Sequence, residues 1–571
     1  MFSDNHALQG LRNERYNLGL LLLLAIIVLA AGIGLRAPWP ADEPRFALVA
    51  KQMVESGQWL FPFRGGEIYP DKPPMFMWAI ALCYRLVGSM QVAFLLPSLL
   101  AGLGTLTLVY DIARRLWNRQ TAFRAGLLLL FTAQFTLQAK TAQIDALVTF
   151  FITLGFYSFL RFLLCHGGWR WYYLGWFAAG LGIITKGVGI IAALVLIPAL
   201  WTHRAEIRAA SKRAWLKALA GPLVMLLAIG LWLAPMLLTV INSHDSVLQA
   251  YCNNILFRQT VTRYAKAWHH VKPFWFYLTE VIPAFWLPLS LFIPWLVWLS
   301  QRAIRQGNRT VLLIVGQLLL VLAFFSFSPG KRGVYITPAT IPFILLAAPW
   351  LPTLMERLWP RRLLGALGWL LAVIFLGVAA ALAFSPKVAA KAAELGPHAW
   401  WLALSVGACL LLANLLLRRA PLTASLASLA IIWLHYSLWA YPLLDDVRTP
   451  KGIMAEVQQK VPAGDELLIV KFREQFLLFA QRPIEHWSYQ EQDEVQVRQS
   501  ALWVSGNAHR WLLAPASLLD PCFDATKGEK LGDRHGESWT LYRTDALRES
   551  CRQLNEAAMT PYHYVPQHEY R

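Results

Sequence analysis

Residues 218–241 read ALAGPLVMLLAIGLWLAPMLLTVI, 24 consecutive residues without a charged side chain. About 20 apolar residues are enough for a helix to cross the hydrocarbon core of a bilayer. Lys212, Arg213 and Lys217 stand just before this run, as basic residues often do at the end of a membrane-spanning helix. The stretch therefore predicts an integral membrane protein.

The composition of the whole chain agrees with this prediction. The 571 residues are 57% hydrophobic and only 15% charged, with a mean hydropathy of +0.44. Soluble domains are about 25% charged. The 26 tryptophans suit a protein anchored at lipid headgroups. A soluble enzyme, a disordered chain and a fibrous protein are excluded.

Similar apolar runs recur along the first three quarters of the chain. They predict an all-α polytopic membrane protein with about thirteen transmembrane helices, over residues 18–35, 92–110, 121–138, 144–164, 171–185, 187–201, 218–241, 275–299, 310–327, 336–353, 363–384, 399–417 and 421–440. The first run lacks the small-residue cleavage site of a signal peptide, so we expect it to be an uncleaved anchor.

Charge divides the chain into two regions near Pro442. Residues 1–441 carry 37 Lys and Arg against 14 Asp and Glu, whereas residues 442–571 carry 15 against 19. We therefore predict a transmembrane domain over 1–441 and a separate domain over 442–571. No soluble segment shows a basic face with interleaved aromatic residues, so a nucleic-acid partner is not expected.

Alternate connections between the spans are short and basic. They contain Arg114, Arg115, Arg119, Arg124, Arg204, Arg208, Lys212, Arg213, Lys217, Arg302, Arg305, Arg309, Arg357, Arg361, Arg362, Arg418 and Arg419. The positive-inside rule places these connections in the cytoplasm. The long loops 36–90 and 242–274 then lie outside, and an odd number of spans puts the C-terminal domain outside as well.

The region 442–571 resembles a small α/β domain in its patterning. Residues 467–472, 510–514 and 539–542 have strand patterns, and residues 450–460 have a helical one. Cys522 and Cys551 both fall in this region, where a disulfide is chemically permitted. The chain has no CxxC or HExxH motif, so the strong metal signatures are absent.

The first external loop opens with two acids and an arginine, Asp42, Glu43 and Arg45, around Pro44. Pro44 is suited to the first turn of a helix, and the bland interpretation is an acid pair capping an amphipathic interfacial helix. Capping accounts for one acid but not for all three charges, so these residues are candidates for catalysis and substrate binding.

Two further motifs carry acids on the same side. Tyr69-Pro70-Asp71-Lys72-Pro73-Pro74 has a rigid, non-helical backbone that presents Asp71 and Lys72 at fixed angles. Asp145 begins an apolar run, where it is either a helix cap or a functional acid. Lys186 stands between apolar stretches, where a cation is costly unless it is paired.

Cations also gather on the face where the positive-inside rule disfavours them. They are Arg258, Arg263, Lys266, His269 and His270 in one loop and Lys331 and Arg332, beside Tyr335, in another. Near a cluster of carboxylates they indicate a bound anion such as phosphate. No cofactor is required, but His269, His270 and His486 are weakly spaced candidate ligands for a divalent metal such as zinc, together with Asp71.

The order of these motifs resembles the bacterial branch of the protein O-mannosyltransferase superfamily. The pattern is one span, then Asp42-Glu43-x-Arg45-Phe46, then an acid followed by Lys-Pro-Pro at 71–74, then Asp145. The resemblance extends over essentially the whole chain. It implies the GT-C glycosyltransferase fold in a bacterial inner membrane, with a periplasmic C-terminal α/β domain over 442–571 and a catalytic first periplasmic loop over 36–90.

The resemblance also implies substrates and roles. The donor is expected to be an undecaprenyl-phosphate sugar, 4-amino-4-deoxy-L-arabinose in the branch that modifies lipid A and confers polymyxin resistance. Asp42 matches the first-loop catalytic acid and Asp145 the second cavity acid. Arg45 and Lys72 match residues at the donor phosphate. Asp71 replaces the more usual glutamate, and some relatives bind zinc through this acid and two histidines.

Other functions remain open at this point. If the acceptor is a lipid A phosphate it needs no general base, whereas a hydroxyl acceptor would use Asp42. The sugar could be another pentose or a hexose, and the acceptor another glycolipid, a polysaccharide or a protein. A transporter would have internal repeats and charges inside its spans, and we find no such repeat.

Overall fold

The computed structural model of the chain describes residues 18–257, 270–396, 398–552 and 557–570. The chain forms two compact units. The membrane unit comprises Met1–Ala31, Pro70–Phe76 and Leu95–Trp439, and the loop–sheet unit comprises Gly32–Tyr69, Met77–Phe94 and Ala440–Arg571. Most of the first loop thus shares a unit with the C-terminal residues, whereas the sequence had assigned it to the transmembrane domain.

The membrane unit consists of helices. The α-helices are Leu18–Ala30, Leu96–Leu116, Arg119–Leu130, Ala133–Ala139, Ile144–Leu164, Trp169–Lys186, Leu196–Thr202, Arg204–Arg208, Lys212–Ser243, Ser246–Asn253, Ile282–Phe285, Ile293–Arg305, Arg309–Phe327, Thr340–Glu356, Leu358–Phe384, Pro386–Lys391, Ala399–Leu416 and Pro421–His435. Shorter 3₁₀ and π turns lie at Gly189–Val195, Tyr277–Val281, Leu289–Phe292, Gly333–Ala339 and Ala393–Leu395.

Eight helices of the described residues are long and apolar enough to cross a membrane, or nine if one bent pair is a single span. The chain is therefore a multi-pass membrane protein, and the count of about thirteen spans stays a prediction. The predicted spans at 18–35 and 187–201 contain the shorter apolar helices Leu18–Ala30 and Gly189–Thr202. The run at 121–138 is broken after Leu130, and Trp169–Lys186 is rich in tryptophan and tyrosine.

The bent pair is fixed to its neighbours by polar side chains. Tyr277–Phe285 and Leu289–Arg305 meet at 116°. Trp286, in the bend, donates its Nε1–H to Gln134 Oε1 at 2.6 Å. Gln134 Nε2 in turn donates to the carbonyl of Gly333 at 2.8 Å. These bonds hold the start of the 3₁₀ turn that carries Tyr335.

A buried lysine holds the end of the first helix. Lys140 Nζ donates to the carbonyl oxygens of Val28, Leu29 and Ala31 at 2.7, 3.2 and 2.9 Å. A cation at a helix C-terminus is stabilised by the helix dipole and by otherwise orphaned carbonyls. The chain therefore leaves this helix from a fixed position.

The loop–sheet unit begins with the predicted helix of the first loop, Glu43–Ser56. Pro44 lies in its first turn, as expected. The helix is buried on most sides, however, and is not an interfacial helix with one apolar face. A short antiparallel hairpin follows, formed by β1 (Phe63–Arg64) and β2 (Glu67–Ile68). The other helices are Met75–Val87, Met90–Ala93, Tyr441–Arg448, Lys451–Lys460, Glu474–Leu478, Asp493–Ser505 and Ala516–Leu519.

The C-terminal residues form a mixed six-stranded sheet. Its strands are β3 (Glu466–Ile469), β4 (Ile484–His486), β5 (Arg510–Pro515), β6 (Glu529–Arg534), β7 (Glu537–Tyr542) and β8 (Tyr562–Tyr564). Their order is β6-β7-β5-β3-β4-β8, with β3 parallel to β4 and β5 and the other pairs antiparallel. The predicted strands β3, β5 and β7 and the helix at 451–460 are confirmed.

One face of this sheet is closed by a core and a disulfide. The core includes Leu468, Trp487, Leu512, Phe523 and Tyr542. Cys522 and Cys551 are bonded to each other beside it, which settles the pairing that the sequence left open.

Candidate functional site

In the membrane unit, Asp145 is paired with Lys186. Asp145 lies in the first turn of Ile144–Leu164 and Lys186 ends the helix Trp169–Lys186, and their charged groups are in hydrogen-bond contact. The Lys186 ammonium also lies 4.3 Å from the ring centroid of Tyr335. Because the partner of Asp145 is a cation, helix capping does not explain this acid.

Tyr277 borders the same group. Its side chain is fully buried and interacts electrostatically with Tyr335 and Asp145. Its hydroxyl has no hydrogen-bond partner among the described residues. A buried hydroxyl without a partner costs free energy, so this region has room for one more polar contact from a ligand or a water molecule.

The other predicted residues of the membrane unit lie in two loops. Arg332 is the residue before the 3₁₀ turn of Tyr335, and its neighbour Lys331 is buried with Nζ donating to the carbonyl of Lys272 at 2.9 Å. His270 is exposed, and its carbonyl accepts the Lys331 N–H. Arg258, Arg263, Lys266 and His269 lie outside the described residues.

Asp71 and Lys72 occupy a non-helical, partly exposed stretch just before helix Met75–Val87. The carbonyl of Pro70 accepts a hydrogen bond from Asn254 Nδ2 at 3.3 Å. A side chain of the membrane unit therefore fixes the start of this segment. This agrees with the expectation that the segment holds Asp71 and Lys72 at fixed angles.

In the loop–sheet unit, the two adjacent acids of the first loop have different surroundings. Glu43 is buried, with one oxygen 2.8 Å from Arg36 Nη2 and the other accepting the Trp39 N–H at 2.8 Å. Its carboxylate is fully used inside the fold, so the prediction that Glu43 binds substrate is corrected to a structural role. Asp42 stands at the N-cap but makes no capping bond.

Arg45 belongs to a network of charges with Asp42, Arg64, Glu67 and Glu474. Glu474 accepts from Arg45 Nε at 2.6 Å and from Arg64 Nη1 at 3.3 Å. Asp42 lies 3.9 Å from Arg45, and Glu67 lies 3.6 Å from Arg64. We call these five residues the arginine–glutamate network. Burial opposes the positive charge, but the carboxylate of Glu474 raises the pKa of Arg45 above its usual value.

Tyr69 contributes an aromatic face to this network. The guanidinium groups of Arg45 and Arg64 lie 5.9 and 5.4 Å from its ring centroid. Both guanidiniums also lie over Tyr489, at 5.7 and 4.4 Å. Arg64 is fully buried, whereas Arg45 keeps part of its side chain exposed, so Arg45 is the member positioned to contact a ligand.

Of the three predicted metal ligands, His486 has both ring nitrogens in contact with backbone carbonyls. His486 is fully buried, and its Nδ1 and Nε2 lie 2.8 and 2.6 Å from the carbonyl oxygens of Trp487 and Gly65. A histidine ligand must present a free nitrogen lone pair, so the assignment of His486 is corrected to a structural role. The described residues contain no group of three side chains of the kinds that hold a metal ion.

The structure thus groups the predicted residues in two sets. It brings Asp145 close to Tyr335 through Lys186 in one unit, and Asp42 close to Arg45 and Tyr69 in the other. The sequence missed Arg64 and Glu474. Glu474 follows Arg45 by more than 400 residues, and no local pattern relates the two.

Comparison with known proteins places these residues in a family context. The family model for dolichyl-phosphate-mannose-protein mannosyltransferases matches residues 71–232. That range includes Asp71, Lys72, Asp145 and Lys186.

Two curated relatives are both named undecaprenyl phosphate-α-4-amino-4-deoxy-L-arabinose arabinosyl transferase. The protein from Pseudomonas paraeruginosa is 29% identical over 474 residues, which is 80% of this chain and 82% of the relative. The protein from Pseudomonas fluorescens, whose name carries the number 1, is 30% identical over 355 residues. The match spans 60% of this chain and only 61% of the relative.

The fold has a close counterpart among solved structures. The crystal structure of ArnT from Cupriavidus metallidurans bound to undecaprenyl phosphate matches with a TM-score of 0.72 at 20% identity. The match covers 91% of this chain and 97% of that one. The chain therefore has the GT-C fold, and its predicted resemblance to the protein O-mannosyltransferase superfamily is confirmed.

Proposed function

We propose that this protein is an integral-membrane glycosyltransferase that moves 4-amino-4-deoxy-L-arabinose from undecaprenyl phosphate to a phosphate of lipid A. The observation that carries the proposal is the similarity along 474 residues to a relative named for transfer of that sugar. The fold it shares with a solved structure that holds undecaprenyl phosphate adds support.

The reaction takes place on the periplasmic face of the inner membrane. The short basic connections mark the cytoplasmic side, and Asp145 and Arg161 lie near opposite ends of one helix, Ile144–Leu164. Arg161 is at the end that leads away from the acids of the first loop in the predicted topology. A lipid-linked donor suits this side, because nucleotide sugars are cytoplasmic.

Positively charged side chains stabilise the leaving phosphate. The acceptor oxygen attacks the anomeric carbon, the bond from that carbon to the phosphate oxygen breaks, and its electron pair stays with undecaprenyl phosphate. Lys72, Arg45 and Arg332 stabilise the negative charge that grows on this phosphate. Glu474 holds Arg45 through Nε, which leaves the outer edge of the guanidinium for the phosphate.

The two acids act on the sugar and the acceptor. A lipid A phosphate is ionised at neutral pH and attacks without a general base. Asp42 and Asp145 then orient the sugar by accepting hydrogen bonds from its hydroxyls or its amine. With a hydroxyl acceptor, Asp42 would instead take up the proton. Full transfer by an Asp42→Asn variant would exclude both roles for this residue.

Lys186 gives Asp145 a fixed orientation before the donor binds. Removing either member of a buried ion pair leaves the other charge uncompensated. The ring of Tyr335 lies beside Lys186, Tyr277 interacts electrostatically with Tyr335 and Asp145, and a pyranose packs well against aromatic faces. We therefore assign the sugar of the donor to this group of four residues, with the Tyr277 hydroxyl as an additional donor or acceptor.

The proposal includes no metal step. It assigns catalysis to the side chains named above.

The test is the mass of lipid A in a polymyxin-sensitive host that makes the donor but lacks its own transferase. Expression of the chain should add the mass of one aminoarabinose to lipid A, and Asp42→Ala should abolish the gain. A folded, membrane-inserted protein that gives no gain would contradict the proposed donor or acceptor.

One observation favours a second candidate. The matching family model is one of mannosyltransferases that act on proteins, so transfer of a different sugar to another glycolipid, a polysaccharide or a protein is the alternative. It predicts unchanged lipid A and a new glycoconjugate in cells that express the chain, sensitive to the same Asp42→Ala variant.

A further inference from the structure

A second polar cluster of the membrane unit lies far from the Asp145–Lys186 pair. It consists of Asp111, Arg114, Arg115, Tyr157, Arg161 and Trp171, and we call it the arginine cluster. Asp145 and Arg161 are 16 residues apart in the helix Ile144–Leu164, which separates them by about 24 Å at the rise of an α-helix. The cluster and the Asp145–Lys186 pair therefore lie toward opposite membrane faces.

Asp111 is the centre of the cluster. Its Oδ1 accepts from Arg114 Nη2 at 2.9 Å, and its Oδ2 accepts from Arg115 Nε at 2.6 Å and from the Tyr157 hydroxyl at 2.7 Å. Arg161 Nη1 lies 3.5 Å from the same Oδ2 and donates to the Tyr157 oxygen at 2.8 Å. One carboxylate thus serves three guanidinium groups.

Arginines outnumber acids within the cluster. Arg114, Arg115 and Arg161 all lie within 4 Å of the single carboxylate of Asp111. The other acid between Leu96 and Lys186, Asp145, is paired with Lys186. Partly buried cations at a membrane boundary attract anionic headgroups.

Two buried N–H donors at the cluster lack an acceptor. Neither Arg161 Nε nor Trp171 Nε1 has a hydrogen-bond partner in the part of the chain that the structure describes. The two side chains are in contact, with the Arg161 guanidinium 4.2 Å from the Trp171 ring centroid. Arginine and tryptophan side chains only donate hydrogen bonds, so the group that would satisfy both must be an acceptor.

The surroundings place this acceptor at the depth of lipid headgroups. The helix that starts at Trp169 opens with four aromatic residues, Trp169, Trp171, Tyr172 and Tyr173. Tryptophan and tyrosine concentrate where hydrocarbon meets headgroups. A second guanidinium, that of Arg170, lies 5.7 Å from the Trp171 ring centroid.

We propose that the arginine cluster binds the phosphate of an anionic glycerophospholipid. Arg161 and Trp171 donate to the phosphate oxygens, and the more exposed Arg114 and Arg115 face the rest of the headgroup. Arginine suits this ligand because its planar donors match phosphate oxygens. A zwitterionic headgroup would bring an ammonium beside the guanidinium groups of Arg114, Arg115 and Arg161, so the site discriminates against it.

Native mass spectrometry of the full-length protein tests this. The protein is released from micelles that contain equal amounts of phosphatidylglycerol and phosphatidylcholine, and the ratio of the two bound lipids is measured. We expect phosphatidylglycerol to be strongly enriched. Arg161→Gln should lower that ratio about tenfold, since it removes charge-assisted hydrogen bonds, and Trp171→Phe should lower it less because it removes one neutral donor.

Arg302→Gln is the matched control. Arg302 is likewise an arginine near a helix end and lies 5.8 Å from a tryptophan ring, that of Trp298, but it is exposed and is not part of the arginine cluster, so its removal should leave the ratio unchanged. Equal binding of both lipids by the unmodified protein would overturn the proposal, as would equal losses in Arg161→Gln and Arg302→Gln.

Two further outcomes decide the remaining cases. Excess inorganic phosphate should not displace phosphatidylglycerol. Displacement would mean that the cluster binds a free phosphate ion rather than a lipid, and this would overturn the proposal. If Arg161→Gln fails to insert or fold, Trp171→Phe decides alone, and an unchanged lipid ratio in that variant would contradict the site.

Discussion

The two candidate groups of residues, one in each unit, handle buried charge in different ways. In the membrane unit, Asp145 and Lys186 form a single pair of opposite charges. In the loop–sheet unit, two arginines share Glu474 and have Asp42 and Glu67 at longer distances. The Asp145–Lys186 pair has no net charge. In the arginine–glutamate network, by contrast, each charged group interacts with more than one neighbour or shares its partner.

The difference follows from the solvent around each unit. Lipid offers no hydrogen bonds and no screening, so an ionisable group there needs a partner of its own. Outside the spans, tyrosine rings and partial hydration also stabilise the charged groups. The arginine–glutamate network can therefore lose one contact without leaving a charged side chain unpaired. We therefore expect single substitutions to cost more in the pair than in the network.

The largest effect is expected for Asp145→Asn. It removes the carboxylate that orients the sugar and leaves Lys186 buried without its partner. We expect the transfer rate to fall roughly 100-fold and the free energy of unfolding to fall by about 3–5 kcal/mol. Transfer is measured as lipid A modification in membranes, and unfolding in detergent.

The double variant Asp145→Asn, Lys186→Met separates these two losses. Replacing both members of a buried pair by neutral side chains is often nearly neutral for stability. We expect stability to recover while transfer stays low. Recovery of transfer in the double variant would mean that Asp145 serves only as a partner for Lys186.

The disulfide of the loop–sheet unit gives the next effect. Cys522 and Cys551 are separated by 29 residues, and closing a loop of this length stabilises a fold by roughly 3–4 kcal/mol. Replacing both by alanine should destabilise β5 and β7 by that amount, measured by hydrogen exchange of their peptides in the intact protein. Cys409→Ala, in a membrane helix, is the control and should leave this exchange unchanged.

Glu474→Gln tests the network. It keeps the shape of the side chain but removes the charge shared by Arg45 and Arg64, and we expect a loss of about 2 kcal/mol in the free energy of unfolding. Glu466→Gln is the matched control, because Glu466 bonds Arg510 at 2.7 Å in an exposed pair, which should be worth less than about 1 kcal/mol. Equal losses of unfolding free energy in the two variants would mean that Glu474 stabilises the protein no more than an exposed ion pair does.

Local patterns were sufficient for much of the fold. Apolar runs predicted the membrane helices, and alternation predicted β3, β5 and β7, because both signals are periodic within a few residues. A hydropathy run does not reveal where a helix breaks, as the predicted span at 121–138 does between Leu130 and Ala133.

The sequence supplied candidate residues for the site but not their contacts. Asp42 was selected because it stands with Glu43 and Arg45 beyond the first span, and Asp145 because it begins an apolar run. Their neighbours Glu43 and His486 were given functional roles, although Arg36 and two backbone carbonyls satisfy them. Only three-dimensional packing decides whether a polar residue is satisfied internally, and partners such as Glu474 come from distant parts of the chain.

The smallest effect concerns pH and the loop–sheet unit. Burial lowers the pKa of His486 below its usual 6.5, although nearby carbonyls and Glu67 oppose the shift. Between the pKa values of His486 in the folded and unfolded chains, the unfolded chain binds more protons. The contribution of His486 to the free energy of unfolding is therefore complete above pH 6.5 and is lost as the pH falls below it. At pH 5, about 1.5 units lower, the loss is at most about 2 kcal/mol.

Hydrogen exchange of β4 in the intact protein at pH 7.5 and pH 5, corrected for the intrinsic rates, measures this loss. His486→Gln should reduce the acid-induced loss, because the substitute does not titrate, whereas His568→Gln, which changes an exposed side chain, should not. Local desolvation and nearby arginines also lower the pKa of His535, although the residue is exposed, so a smaller acid dependence should persist in His486→Gln. An unchanged acid loss in His486→Gln would show that the neutral ring of His486 does not limit the stability of this sheet.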